Sequence, residues 1–101
     1  MTLEEIYQTL QQLNLPIAYS HFKSPQESPY IVYLVDNTQN FGADNKVYHQ
    51  IENLVIELYT TKKDIMLEKK LEALLNEKEL FYEKIETYIE SEKLYEVRYE
   101  L

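Results

Sequence analysis

Two histidines, His21 and His49, are the first residues to test for chemistry, because an imidazole can serve as base, proton shuttle or metal ligand near neutral pH. They lie in separate segments without His-x-x-x-His spacing, and the chain has no cysteine to complete a tetrahedral metal set. Each reads as a solvent-facing or hydrogen-bonded residue. Ser20, Ser24, Ser28 and Ser91 fall in loop or turn sequence, and none occupies a Gly-x-Ser-x-Gly elbow that would present it to a base. The carboxylate pairs Glu4/Glu5, Glu77/Glu79 and Glu83/Glu86 alternate with lysines in the polar phase of the pattern, which suits solvated faces better than acid/base catalysis. The run Asp36, Thr38, Asn40, Gly42, Asp44 offers oxygen atoms at alternate positions, as a calcium loop does. Its register fails, since an EF-hand begun at Asp36 would need glycine where Phe41 stands and glutamate where Val47 stands. No catalytic residue, metal or cofactor is therefore expected, and the chain is not expected to be an enzyme.

What remains is the chemistry of contact. Ten tyrosines and no tryptophan supply large apolar rings with a wet hydroxyl, a residue type enriched where proteins meet. Tyr33, Tyr95 and Tyr99 fall on apolar phases and are assigned to the core, whereas Tyr48, Tyr59, Tyr82 and Tyr88 are candidates for an exposed contact surface. Ten Lys plus Arg against eighteen Asp plus Glu leave a net charge of −8, which opposes the phosphate neutralisation that DNA or RNA binding needs. A single glycine, Gly42, leaves no glycine-rich phosphate loop, and the lack of cysteine fits a reducing compartment.

The elements that must position these side chains follow from periodicity. Thr2-Leu3-Glu4-Glu5 reads as a capping box for a helix carrying Leu3, Ile6, Tyr7, Leu10 and Leu13, ended by Asn14 and Pro16. Ile17 to Tyr19 reads as a short strand, and His21 to Pro29 as a surface loop broken by Pro25 and Pro29. The β-branched and aromatic run Tyr30 to Val35 predicts a strand covered on both faces and central to its sheet. A polar loop, Asp36 to Asn45, joins it to a β-rich run, Lys46 to Thr60, in which Leu54, Ile56 and Leu58 share one face. Asp64 caps a second helix with a Leu67, Leu71, Leu74, Leu75 stripe. Two period-two segments close the chain, one built on Phe81, Ile85 and Ile89 and one on Tyr95, Val97, Tyr99 and Leu101, with a turn at Glu90 to Lys93. Residues 1–101 thus predict a single α+β domain in the order α-β-β-β-α-β-β, two helices packed on one face of a mainly antiparallel sheet of about five strands. The start Met1 to Glu5 lacks the basic and apolar runs of a signal peptide, and Tyr30 to Val35 is too short to span a bilayer, so a cytosolic protein that does not engage membranes is expected.

The segments SPYIVYL, NFGADNKVYHQIENLVIELYT and YEKIETYIESEKLYEVRYEL, in this order, resemble a family of small prophage proteins of Gram-positive bacteria encoded in the head-tail morphogenesis region of long-tailed phages. The resemblance covers nearly the whole chain and is to the tail-completion, tail-terminator or head-tail joining class. It implies a structural subunit that self-associates, as a hexameric ring, and binds tail-tube and head-connector proteins without directly binding nucleic acid. The protein would act in the host cytoplasm during assembly and remain at the virion head-tail junction. By position, the hairpin loop from Asp36 to Lys46 becomes a contact element, with Phe41 as its one large apolar residue. The candidate protein-contact residues are Asp36, Phe41, Asp44 and Tyr48, together with Pro25 and Pro29 of the preceding loop.

Two other classes are set beside this one. A small acidic adaptor that masks a basic protein partner suits the charge and predicts a monomer until that partner arrives. A small-molecule hydrolase needs a pocket with convergent polar groups, for which no motif is present. The last strand, Lys93 to Leu101, is expected at an open sheet edge, where it could accept a neighbour's strand.

Overall fold

The structure is a computed structural model, and it describes residues 2–36 and 53–101. Its first element is helix α1, Leu3–Gln11. Both halves of the capping box form: the Glu5 N–H donates to Thr2 Oγ1 at 3.1 Å, and the Thr2 N–H donates to Glu5 Oε1 at 2.7 Å. Strands β1, Ile17–Tyr19, and β2, Tyr30–Val35, follow, then β3, Leu54–Thr60. Helix α2, Ile65–Glu77, starts where Asp64 accepts the Leu67 N–H at 3.1 Å. Strands β4, Glu83–Ile89, and β5, Leu94–Glu100, form a hairpin around the turn at residues 90–93. The class and element order are those the periodicity predicts.

The strands lie in the order β1-β2-β3-β5-β4, with β1 parallel to β2 and every other pair antiparallel. Two expectations are corrected here. The middle strand is β3, not β2, which sits one place in from the β1 edge. The C-terminal strand is not an edge, because β5 pairs with both β3 and β4; among the described residues the edges are the three-residue β1 and the seven-residue β4. The chain places β5 inside because its apolar alternation matches β3 in register, Ile56 opposite Tyr99 and Leu58 opposite Val97, whereas β4 alternates charged residues on the same face.

Both helices cover one face of the sheet. Ile31 of β2, Leu54, Ile56 and Leu58 of β3, and Val97 and Tyr99 of β5 pack with Ile6 and Leu10 of α1 and Leu71 and Leu75 of α2. Burying each such side chain contributes roughly 1.5–3 kcal/mol, so this cluster dominates the fold's stability. Leu67 packs against it from the margin, and Leu74, the fourth member of the expected stripe, is half-buried.

Phe81, Ile85 and Ile89 were expected to form the apolar face of their segment, but they do not enter this core. Lys84 pairs with Tyr99 and Glu86 with Val97, so the even-numbered residues of β4 face the helices and the odd-numbered ones face away. Phe81 precedes the strand and is 92% exposed. No helix of the described residues is long and apolar enough to cross a membrane.

Candidate functional site

On the helix side of the sheet, the charged residues of β4 meet those of α2. Glu68 is buried and accepts from Lys63 Nζ at 2.7 Å and from Lys84 Nζ at 2.9 Å. Lys84 also reaches Glu72 at 2.6 Å, and Lys63 reaches Glu86. Burial pushes the Glu68 carboxyl up, but the two ammonium groups outweigh it and hold the group below the usual carboxylate range. Burial likewise lowers Lys84, and its hydrogen bonds to Glu72 and Glu68 more than restore its charge. The Tyr99 hydroxyl, otherwise stranded in the core, donates to Glu72 Oε2 at 2.8 Å. Burial first and this acceptor second raise that phenol far above its ordinary range. These groups lock α2 onto the β5–β4 hairpin, and each is occupied by its neighbours.

Among the described residues, the opposite face carries no helix. Tyr30 and Tyr59 stack across β2 and β3 with centroids 5.0 Å apart, and Phe22 meets Tyr30 edge-on at 5.4 Å. The loop from Ser20 to Pro29 folds over this ladder and leaves a groove lined by Phe22, Pro25, Tyr30, Tyr59, Ile89 and Glu92. Further along the same face, Arg98 donates to Glu57 at 3.0 Å, Glu100 at 2.8 Å and Asp36 at 3.4 Å, while the Tyr59 hydroxyl donates to Glu57 Oε1 at 2.9 Å. Glu96 is raised, first by burial and then by the charge of Glu57. His21 stays exposed with Nδ1 3.2 Å from the hydroxyl of the adjacent Ser20, and among the described residues no carboxylate hydrogen-bonds this imidazole or the Ser20, Ser24 or Ser28 hydroxyls. No three His, Asp or Glu side chains converge as a metal set among the described residues.

The contact residues expected from sequence are distributed as follows. Asp36 is drawn into the Arg98 cluster at the end of β2, and its N–H donates to Asn53 O at 2.8 Å. Pro25 and Pro29 are exposed at the other end of that strand, roughly 20 Å away along six residues of extended chain. Pro25 lines the aromatic groove, whereas Pro29 faces a separate hollow with Thr60 to Asp64. Asp36 and the prolines therefore do not form one patch. Phe41, Asp44 and Tyr48 lie outside the described residues. Of the tyrosines assigned to a contact surface, Tyr88 is exposed, Tyr59 is half-buried in the ladder and Tyr82 packs on the core edge-to-face with Tyr99.

Of the largest exposed apolar side chains, Tyr88 alone was assigned to a contact surface from the sequence. Phe81 is 92% exposed, Met66 68% and Ile65 54%; Ile85 and Tyr88 of β4 add to them. The signal was available for Met66, which lies off the leucine stripe of α2, and was hidden for Phe81, whose spacing to Ile85 imitates a strand's apolar phase. Comparison with family models, curated proteins and solved structures finds no match for this chain.

Proposed function

We propose that this chain is a structural subunit that works by binding other proteins and has no catalytic centre, and specifically a phage or prophage tail-completion or head-tail joining protein. The observation that supports a binding role is the exposure of Phe81, Met66 and Ile65 on a chain of net charge −8. Large apolar side chains held out of the core on an otherwise acidic surface suit a protein interface. The tail-tube and head-connector proteins are named as partners from the likeness of SPYIVYL, NFGADNKVYHQIENLVIELYT and YEKIETYIESEKLYEVRYEL to that family. In this reading the subunits close into a hexameric ring in the host cytoplasm and stay at the head-tail junction.

Co-expression with tail-tube and head-connector proteins of a long-tailed phage, followed by affinity capture, tests the assignment. Wild-type protein should co-purify with at least one of them as a ring, and Phe81→Ser should weaken capture about tenfold or more, as loss of an interface anchor does. Phe41→Ala should also impair assembly, and normal assembly of that variant would remove the Asp36 to Lys46 loop from the interface. Capture of a single basic protein in a one-to-one complex, with neither phage partner bound, would replace this reading with the acidic adaptor.

A further inference from the structure

We propose that the free edge of β4 pairs with β4 of a second copy of this chain, antiparallel about a two-fold axis at Ile85, so that one continuous sheet runs through both copies. Among the described residues, strand β4 has a hydrogen-bonding neighbour on one side only, β5, and it is seven residues long. Its outer row of backbone N–H and C=O groups is a template for another strand.

The side chains of β4 select the register. A two-fold axis normal to the sheet keeps the helix layers of both copies on one side, and residues placed opposite must then share a face, so both are even-numbered or both odd. Centred on Ile85, the pairing sets Ile85 against Ile85, Lys84 against Glu86, Glu86 against Lys84, and Glu83 against Thr87. Beyond the strand, Tyr82 faces Tyr88 and Phe81 faces Ile89. Every charged residue inside the paired stretch meets an opposite charge or a neutral hydroxyl, and the exposed apolar residues meet one another. Neighbouring registers lose this match. Centring on Lys84 opposes two lysines, and centring on Glu86 opposes two carboxylates; centring on Thr87 leaves Glu86 against Tyr88 and sends Lys84 to Glu90, in the turn beyond the strand.

The lysine that would otherwise guard this edge is already neutralised. Lys84 is held by Glu68 and Glu72, and Glu86 by Lys63. The opposed charges therefore join two existing networks, giving a row of alternating sign from Lys63 through Glu86 to Lys84 of the second copy, and no ion is desolvated alone. This interface does not depend on the ring. A ring whose two mouths meet different proteins has no two-fold axis across a sheet edge, so the β4 pair is a state of the free chain that opens on assembly.

The chain contains no native cysteine, which makes the register readable by crosslinking. Directly opposed residues of antiparallel strands have Cα atoms about 4.5–5.5 Å apart, within disulfide reach. Ile85→Cys should give a covalent dimer under mild oxidation. Thr87→Cys should not, because Thr87 and its symmetry mate are offset by four residues, roughly 13 Å. Sedimentation across a concentration series should show a wild-type dimer, weakened about tenfold or more by Ile85→Lys and tightened ~5-fold by Thr87→Lys, which would place a lysine opposite Glu83 twice. Ile85 and Thr87 are exposed and point away from the helices, so far-ultraviolet circular dichroism should be unchanged in all four variants. A wild-type monomer at high concentration would overturn the proposal. So would self-association without crosslinking through residue 85, or a Thr87→Lys dimer weaker than wild type. Capture by phage partners is read in a separate experiment, so either conclusion can fail alone.

Discussion

Glu68 on α2 and Glu96 on β5 are carboxylates on opposite sides of the sheet, and their surroundings push them in opposite directions. Glu68 is favoured as an anion by Lys63 and Lys84, so its folded pKa lies below its unfolded one. Its contribution to stability is present above the usual carboxylate range and is lost as pH falls through the depressed folded value. Glu68→Gln, which leaves two lysines short of a partner, should cost about 2–3 kcal/mol in urea unfolding at pH 7, with little difference from wild type at strongly acid pH. Glu96 is raised by burial and by Glu57, so its contribution is present below the unfolded pKa and is lost as pH rises through the elevated folded value. Glu96→Gln should therefore raise the thermal midpoint at pH 7 by a few degrees and give no gain in acid. An unchanged midpoint at both pH values would mean that neither burial nor Glu57 disfavours the Glu96 anion in the folded chain. The acidic residues were visible in the sequence as a solvated phase, and most of them are. That Glu68 is buried was not legible, because it sits one turn before half-buried Glu72 on α2, and its burial is made tolerable by Lys63 together with the lysine arriving from β4.

At the scale of elements, the periodicity of 3.6 in α1 and α2 and of two in β3 and β5 was enough to put them in order, although the expected β-run from Lys46 lies outside the described residues as far as residue 52, and the caps at Thr2 and Asp64 form where the residue types require. The position of each strand in the sheet was not legible, since alternation states which residues share a face and is silent on the neighbour. Strand β4 shows this most clearly. Its apolar residues Ile85 and Ile89 mark the face away from the helices, and its helix-side residues are Lys84, Glu86 and Tyr88, a pattern only an edge strand tolerates. The interior position of β5 gives a prediction that an edge position would reverse. Deleting Val97 to Leu101 removes Val97 and Tyr99 from the core and leaves β3 and β4 without their shared neighbour, so the truncated chain should lose its cooperative unfolding transition. A folded truncation product that merely fails to self-associate would contradict the strand order.

At the scale of the whole molecule, the α+β architecture leaves one sheet face to the helices and the other to an aromatic ladder, an Arg98-centred cluster and the 20–29 loop. Mass in solution and crosslinking at residue 85 together separate the two assemblies argued above, a two-fold pair through β4 and a ring engaged with phage proteins. The sequence by itself determined the class of fold, the element order, the helix caps and the acidic, cysteine-free character, because these depend on local propensity, residue spacing and composition. Only the tertiary structure decided that β4 is an edge strand, that Phe81 stands in solvent, that Glu68 is buried between two lysines and that Asp36 joins Arg98. Each of these depends on which strand lies beside which, and that is settled by long-range registers such as Leu58 with Val97 and Lys84 with Tyr99, which no local pattern contains.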